Sequence, residues 1–250
     1  MVFPLFLFLM ETKVSKPFHF KQFIIEQDRC PMQIGTDGVL LGAWTEISGS
    51  NRILDIGTGT GIIAIILAQR TEQSNIHAVE IHPESSQQAA ENMEASPWGD
   101  RLQVFNESIQ DFAKGRRQEY DLIVSNPPFF SGGTFSNRQD RTNVRHTTKL
   151  PHGDLLSCAR NLLAPGGRFC VILPFIEGLR FQELAATYHL YCTKITEVSP
   201  RPGKEVNRLL LQFEMSSGTL VKDTLAIRQR DSDEWTEEYV KLTGDFYLKM

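Results

Sequence analysis

Arg52-Ile53-Leu54-Asp55-Ile56-Gly57-Thr58-Gly59-Thr60-Gly61 runs directly into Ile62-Ile63-Ala64-Ile65-Ile66-Leu67-Ala68-Gln69. The first half reads as a short strand ending in glycine. The second, from Gly61 to Gln69, reads as a helix apolar on every side and therefore buried. Glycines between the two allow a tight turn and let a ligand touch the backbone. The chain then enters a helix whose free N–H groups favour a carboxylate or a phosphate.

The same alternation continues outward. A second strand spans Ile76 to Ile81. Pro83 opens a helix, a position where proline is tolerated, with Ala89, Ala90 and Met93 on one face. Strands follow from Leu102 to Phe105 and from Tyr120 to Ser125. A helix from Leu155 to Leu163 stops at Pro165-Gly166-Gly167, followed by a strand from Arg168 to Leu173 and a helix from Leu179 to Tyr188. Strand–helix alternation implies right-handed crossovers and a parallel sheet covered on both faces, and the near-continuous apolar strands agree. Cys192 to Val198 and Arg208 to Met215 break the alternation and read as a hairpin at the sheet edge. The expectation is an α/β fold: a mostly parallel seven-stranded sheet, an antiparallel edge hairpin and helices on both faces.

The chain has 250 residues, 41% hydrophobic and 22% charged, with a net charge of −4. This is a globular composition with no low-complexity tract or internal repeat. The acidic balance counts against a uniformly basic nucleic-acid binder, but says little about a local patch. One such patch is Arg138, Arg141, Arg145 and Lys149, set against the single acid Asp140; it also fits a solvated loop. The four cysteines, Cys30, Cys158, Cys170 and Cys192, are scattered, which suits free thiols in a reducing cytoplasm. The six histidines lack metal-ligand spacing, so no metal is expected. Val2 to Met10 (VFPLFLFLM) is too short to span a membrane and lacks a signal peptide's flanks. The expected organisation is an N-terminal arm over 1–15, with Met10 as the true start, and a single domain over 16–250.

Two features sharpen the glycine turn into a cofactor site. Its spacing is D-x-G-x-G-x-G, whereas the dinucleotide fingerprint G-x-G-x-x-G fails at Ile62. Glu80 ends the next strand, where an acid accepts hydrogen bonds from both ribose hydroxyls of an adenosine ligand. Asp55, Gly57, Thr58, Gly59, Gly61 and Glu80 together resemble the class I S-adenosylmethionine methyltransferases, whose fold is Rossmann-like. The resemblance implies that the glycine turn holds the methionine part of the cofactor and Glu80 its ribose. It also implies an adenine contact among Ser108 to Asp111, with Ser108 the first candidate.

At the end of the Tyr120–Ser125 strand stands Asn126-Pro127-Pro128-Phe129. The prolines fix φ and force the preceding residue into an extended conformation, so Asn126 is held stiffly. It projects at the strand's C-terminal edge, where open α/β sheets bind ligands. Alone, the tripeptide also fits a proline-rich turn. Placed after the glycine turn, it looks like the N-P-P-[FY] signature of methyltransferases acting on a planar nitrogen. The Asn126 side-chain oxygen and the Pro127 carbonyl can accept the two N–H groups of an exocyclic amine, while Phe129 offers a stacking face.

The N-P-P-F motif leaves DNA adenine, RNA adenine, RNA guanine and protein glutamine open. Phe18-His-Phe-Lys-Gln-Phe23, Gly35-Thr-Asp-Gly-Val-Leu-Leu-Gly-Ala-Trp44, Glu237-Glu238-Tyr239 and Asp245-Phe-Tyr-Leu-Lys249 resemble the bacterial tRNA(Val) adenine N6-methyltransferases, across residues 16 to 250. That resemblance implies tRNA as the partner and the adenine next to the anticodon as the target. It further implies that Lys21, Gln22 and Thr36 cover the cofactor. Arg138, Arg141, Arg145 and Lys149 would grip loop phosphates. A glutamine methyltransferase would carry a helical N-terminal domain for which there is no room, a nicotinamide oxidoreductase would leave N-P-P-F unexplained, and a silent adenosine-binding module would not need Asn126.

Overall fold

The computed structural model describes residues 15–128 and 150–250. The N-terminal hairpin, β1 (Phe18–His19) and β2 (Ile24–Ile25), is followed by α1 (Thr36–Trp44). β3 (Arg52–Ile56), α2 (Ile62–Arg70), β4 (Asn75–Val79), α3 (Pro83–Glu94), β5 (Leu102–Phe105), α4 (Ile109–Phe112) and β6 (Tyr120–Ser125) form the first half of the sheet domain. The second half comprises α5 (His152–Leu162), β7 (Leu163–Pro174), α6 (Phe175–Thr187), β8 (Tyr191–Ser199), β9 (Arg208–Glu214), β10 (Val221–Ala226) and α7 (Glu237–Thr243).

The sheet order is β10-β8-β9-β7-β6-β3-β4-β5. β3 pairs in parallel with β4 on one side and β6 on the other, so the chain reverses its direction of travel across the sheet between β3 and β6. Such a switch point opens a crevice at the strands' C-terminal ends. Alternate strand residues serve two cores. Ile53, Ile76, Leu122 and Val124 face α1 and α2, while Leu54, Ile56, Ile123 and Val171 face α5 and α6.

α2 is buried from Ile62 through Ala68, because the sheet covers one side and α1 the other. α1 approaches so closely that a Cβ on Gly42 would lie 2.8 Å from Ile66 Cγ2. Gly178 plays the same part in α6, where a Cβ would lie 2.9 Å from Leu209 Cδ1. A glycine that looks like a helix breaker is thus a packing contact, and α6 starts at Phe175, ahead of the expected Leu179. α5 likewise starts earlier than expected, at His152, with Pro151 as its N-cap. α5 ends at Leu162, ahead of Pro165-Gly166-Gly167, the expected stop, which falls inside the span of β7. The register jumps there, from Tyr120↔Leu163 to Leu122↔Arg168.

The mostly parallel sheet has eight strands rather than seven. β8 and β9 pair antiparallel as expected, and β9 also pairs antiparallel with β7. The additional strand, β10, lies parallel to β8 and forms the outer edge. Its sequence, VKDTLA, carries little signal because Val221 to Thr224 are exposed and only Leu225 is buried. On α3, Ala89 and Met93 are buried as expected, whereas Ala90 is exposed and the buried face is completed by Ser85, Ser86, Gln88 and Asn92.

Residues 1–14, where the separate arm is expected, lie outside the described residues. From Phe18 onward the chain is fastened to the C-terminal segment. Phe20 bridges to Tyr247 and stacks on Phe23, and the Lys21 N–H donates to Phe246 O. Among the described residues no helix is long and apolar enough to cross a membrane.

Candidate active site

A cavity of about 410 Å³ opens at the switch point. One wall is the glycine turn. Gly57, Gly59 and Gly61 have φ of 72°, 57° and 86°, in the left-handed region that other residues enter at a cost. A Cβ on Gly57 or Gly59 would meet nothing within 4 Å, and both residues line the cavity, so bare backbone faces the open space. Gly61 instead presses on α3, where a Cβ would come 3.2 Å from Met93 Cε.

Asp55 and Thr58 stand behind this wall. Asp55 is fully buried; its Oδ2 accepts a 2.6 Å hydrogen bond from Thr58 Oγ1, and its Oδ1 has no partner. Burial pushes its pKa up to about 7; the Thr58 hydrogen bond opposes the shift and the nearby Glu80 charge adds to it. Glu80 closes the turn. Its Oε2 accepts from Gly59 N at 3.0 Å and its Oε1 from His82 N at 2.9 Å, while the carboxylate lines the cavity. Each oxygen retains a further acceptor position.

Across the cavity stand Ser125, Asn126, Pro127 and Pro128. Ser125 Oγ donates to Ile56 O at 2.8 Å, locking the end of β6 to the end of β3. The two prolines then carry the chain out, with Asn126 half-buried at the edge. Ser108 also lines the cavity, but its hydroxyl is engaged as the N-cap of α4, accepting from Asp111 N and donating to Asp111 Oδ2. Gly57, Gly59, Glu80, Ser108, Asn126 and Pro127 are therefore brought together. Asp55, Thr58 and Gly61 support the turn from behind without lining the cavity.

Lys21, Gln22 and Thr36 are not brought to it. Lys21 Nζ donates to Gly244 O at 2.6 Å, near the C-terminus; Gln22 and Thr36 are exposed. Phe129 and the cluster Arg138, Arg141, Arg145 and Lys149 lie outside the described residues.

The third wall, absent from the sequence reading, is Cys30, Pro31 and Met32. It belongs to a strap, residues 26–34, held by side-chain amides of α3. Asn92 Oδ1 accepts from Glu26 N, and its Nδ2 donates to both Glu26 O and Thr60 O, each at 2.9 Å. Gln88 accepts from Arg29 N and donates to Asp28. Within the strap, Gln27 bridges Lys16 O and Ile34 N. Gln88 and Asn92 are buried. In the sequence they look like a helix's solvent face, and a buried polar face gives no periodic apolar signal. Met32 and Ile81 are half exposed at the cavity rim, offering apolar contact to flat rings.

The cavity sets bare backbone and a carboxylate with spare acceptor positions against a facing edge that carries the Asn126 side chain and the Pro127 carbonyl. Among the described residues no three His, Cys, Asp or Glu side chains are grouped to hold a metal ion. The pattern of the methyltransferase small-domain family matches residues 34–179. The tRNA1(Val) (adenine(37)-N6)-methyltransferase of Trichodesmium erythraeum is 47% identical over 93% of this chain and 98% of its own length. The like-named protein of Pectobacterium carotovorum is 45% identical over 93% and 94%. A crystal structure described as a predicted O-methyltransferase, from Agrobacterium tumefaciens, superposes with a TM-score of 0.67 at 19% identity, covering 84% of this chain and 96% of that one, a likeness of fold.

Proposed function

The chain belongs to the methyltransferase small-domain family and, within it, to the tRNA1(Val) (adenine(37)-N6)-methyltransferases, and from that premise we propose how its cavity works. The enzyme transfers a methyl group from S-adenosylmethionine to the exocyclic N6 of adenine 37 in tRNA(Val). The observation that carries the assignment of roles is the convergence of Gly57, Gly59 and Glu80 with Asn126 and Pro127 around one cavity.

S-adenosylmethionine, when bound, supplies a methyl group made electrophilic by its positively charged sulfur. The residues fit it in two respects. The turn offers unshielded backbone at Gly57 and Gly59 for the methionine part. Beside it the Glu80 carboxylate lines the cavity, and each of its oxygens keeps an acceptor position beyond the bonds from Gly59 N and His82 N. Glu80 accepts from the ribose hydroxyls. Ser108 supports the adenine end through its place on the wall, since its hydroxyl already caps α4.

Asn126 Oδ1 and the Pro127 carbonyl accept the two amine N–H groups of the target adenine. This aims the nitrogen lone pair, otherwise delocalised into the ring, at the methyl carbon. Positive charge developing on the nitrogen as it takes up the methyl group would be stabilised by these two acceptors. One N–H proton then leaves to water, so no strong base has to act first. Much of the acceleration comes from alignment. Phe129 stacks on the target ring, and Arg138, Arg141, Arg145 and Lys149 bind phosphates of the anticodon loop. An anticodon-loop base is already partly unpaired, so extruding it costs less than from a duplex. We place the reaction in the cytoplasm, with its tRNA.

The test uses the purified chain, methyl-labelled S-adenosylmethionine and bulk tRNA from a strain lacking the enzyme, followed by nuclease digestion and mass spectrometry. N6-methyladenosine in one valine isoacceptor is the expected product. Label in ribosomal RNA, DNA or protein glutamine, with none in tRNA, would overturn the substrate assignment.

A further inference from the structure

A second cavity, of about 290 Å³, lies where α5 and α6 end and the chain turns into β6. It is far from the methyl-transfer site. It adjoins Gln118, just before β6, whereas Asn126 follows the other end of that strand, and six residues of strand at ~3.3 Å each separate the two by ~20 Å.

Its lining is cationic and polar. Arg117 and His189 are exposed at the mouth, Arg160 is half-buried, and Ser157 and Tyr188 complete the wall. Among the described residues no carboxylate lines it. The nearest acid in sequence, Glu119, is engaged elsewhere by Arg52 and Arg116. The Arg160 Nε–H is buried below the cavity surface without a hydrogen-bond partner. The helix carbonyls that would repel an anion here are occupied: Asn161 O accepts from Gln118 N, and Leu162 O from Glu119 N.

The backbone supports the same reading. Gln118 (φ 52°) and His189 (φ 56°) are the only non-glycine residues with positive φ among those described, and both line this cavity. Glycine would adopt either conformation with less strain. Each position instead keeps a polar side chain at the cavity. Gly153 makes room on α5 for the Tyr188 wall, since a Cβ there would lie 2.7 Å from the Tyr188 hydroxyl.

We propose that this cavity is a phosphate-binding site. A phosphate group meets the guanidinium groups of Arg160 on the wall and Arg117 at the mouth, together with His189 and the Ser157 hydroxyl, a set matched to the recognition of phosphate by arginine. Its volume falls at the small end of ligand pockets, ~300 Å³ upward, which suits a free phosphate or one phosphoryl group of a larger molecule. The site is independent of the methyl-transfer reading.

The experiment titrates the full chain with inorganic phosphate by isothermal calorimetry, with chloride as the control anion. One saturable site is expected. Arg160→Gln and Ser157→Asp should each weaken it at least tenfold, with cofactor affinity unchanged. Ser157 is exposed, so that variant keeps the fold even if Arg160→Gln does not. Repeating the titration with saturating tRNA identifies the source: weakened phosphate binding points to an RNA backbone phosphate, and unchanged binding to a free anion. No saturable binding by the wild-type chain, or equal affinity in Ser157→Asp, would overturn the proposal.

Discussion

The glycine wall and the strap wall enclose the same cavity but are built by opposite means. The glycine wall is set by backbone: three left-handed glycines, a turn bonded to Val79 O, and a helix buried from Ile62 through Ala68. The strap is set by side chains, chiefly two amides of α3 that hold residues 26–34 through their backbone and Asp28. A wall made by backbone geometry is fixed by the turn's own hydrogen bonds, at the entropic cost that ordering glycines carries. A wall made by a few amide bonds is separable, because those bonds exchange readily for bonds to water. The difference predicts that the strap opens more readily than the glycine wall.

The largest expected effect lies on the facing edge, outside both walls. Asn126→Ala should lower the single-turnover methyl-transfer rate about 100- to 1,000-fold, the scale for removing one group that stabilises developing charge. Cofactor affinity by calorimetry should stay near wild type. Weakened cofactor binding with an unchanged rate would move Asn126 out of the catalytic role.

Next comes the buried carboxyl behind the glycine wall. With its folded pKa raised from 3.8 to about 7, Asp55 holds its proton in the folded state across a window where the unfolded chain has lost it. It therefore favours folding at low pH, and that contribution is lost as pH rises from about 4 through 7, at up to about 1.4 kcal/mol per pH unit. Urea unfolding of wild type and Asp55→Asn across that window should show the variant lacking this downward slope. Parallel curves would mean that Asp55 is not the group responsible.

Glu80→Ala sharpens the comparison on the glycine wall itself. It removes the ribose acceptor and the bond that holds Gly59 N. A loss of roughly 1.5–3 kcal/mol in cofactor binding is expected for hydrogen bonds to a charged group, with little change in rate at saturating cofactor. On the strap wall, Asn92→Ala should cost about 1–2 kcal/mol of stability and speed hydrogen exchange in residues 26–34 while leaving the glycine turn protected. Equal loosening of both walls would break the distinction between them.

The contrast also explains what could be read from sequence. Gly57, Gly59, Glu80, Asn126 and Pro127 are legible because each makes an unusual backbone demand or stands at a strand end, and such demands leave residue types at fixed spacing. Cys30, Pro31 and Met32 are illegible because their place depends on Gln88 and Asn92, polar residues that look like solvent-facing ones until the strap covers them. β10 hides for a related reason: an edge strand with four exposed residues carries no alternating apolar pattern. Lys21, suggested by family resemblance alone, is fastened to Gly244 O rather than to the cavity. The parallel direction of β3 to β7 follows from alternation, but the strand order and the insertion of β9 between β7 and β8 are settled by long-range pairing that local pattern does not contain.

The central claim is that one cavity joins a cofactor seat to an amine-orienting edge and acts on a single adenine. The most direct measurement is methyl incorporation into tRNA1(Val) transcripts that carry either adenine or guanine at position 37, with all else unchanged. The account predicts one methyl group per molecule on the adenine transcript, recovered as N6-methyladenosine, and none on the guanine transcript. Equal incorporation into both would contradict it, since the methyl group would then be going somewhere other than the amine that Asn126 and Pro127 are placed to hold.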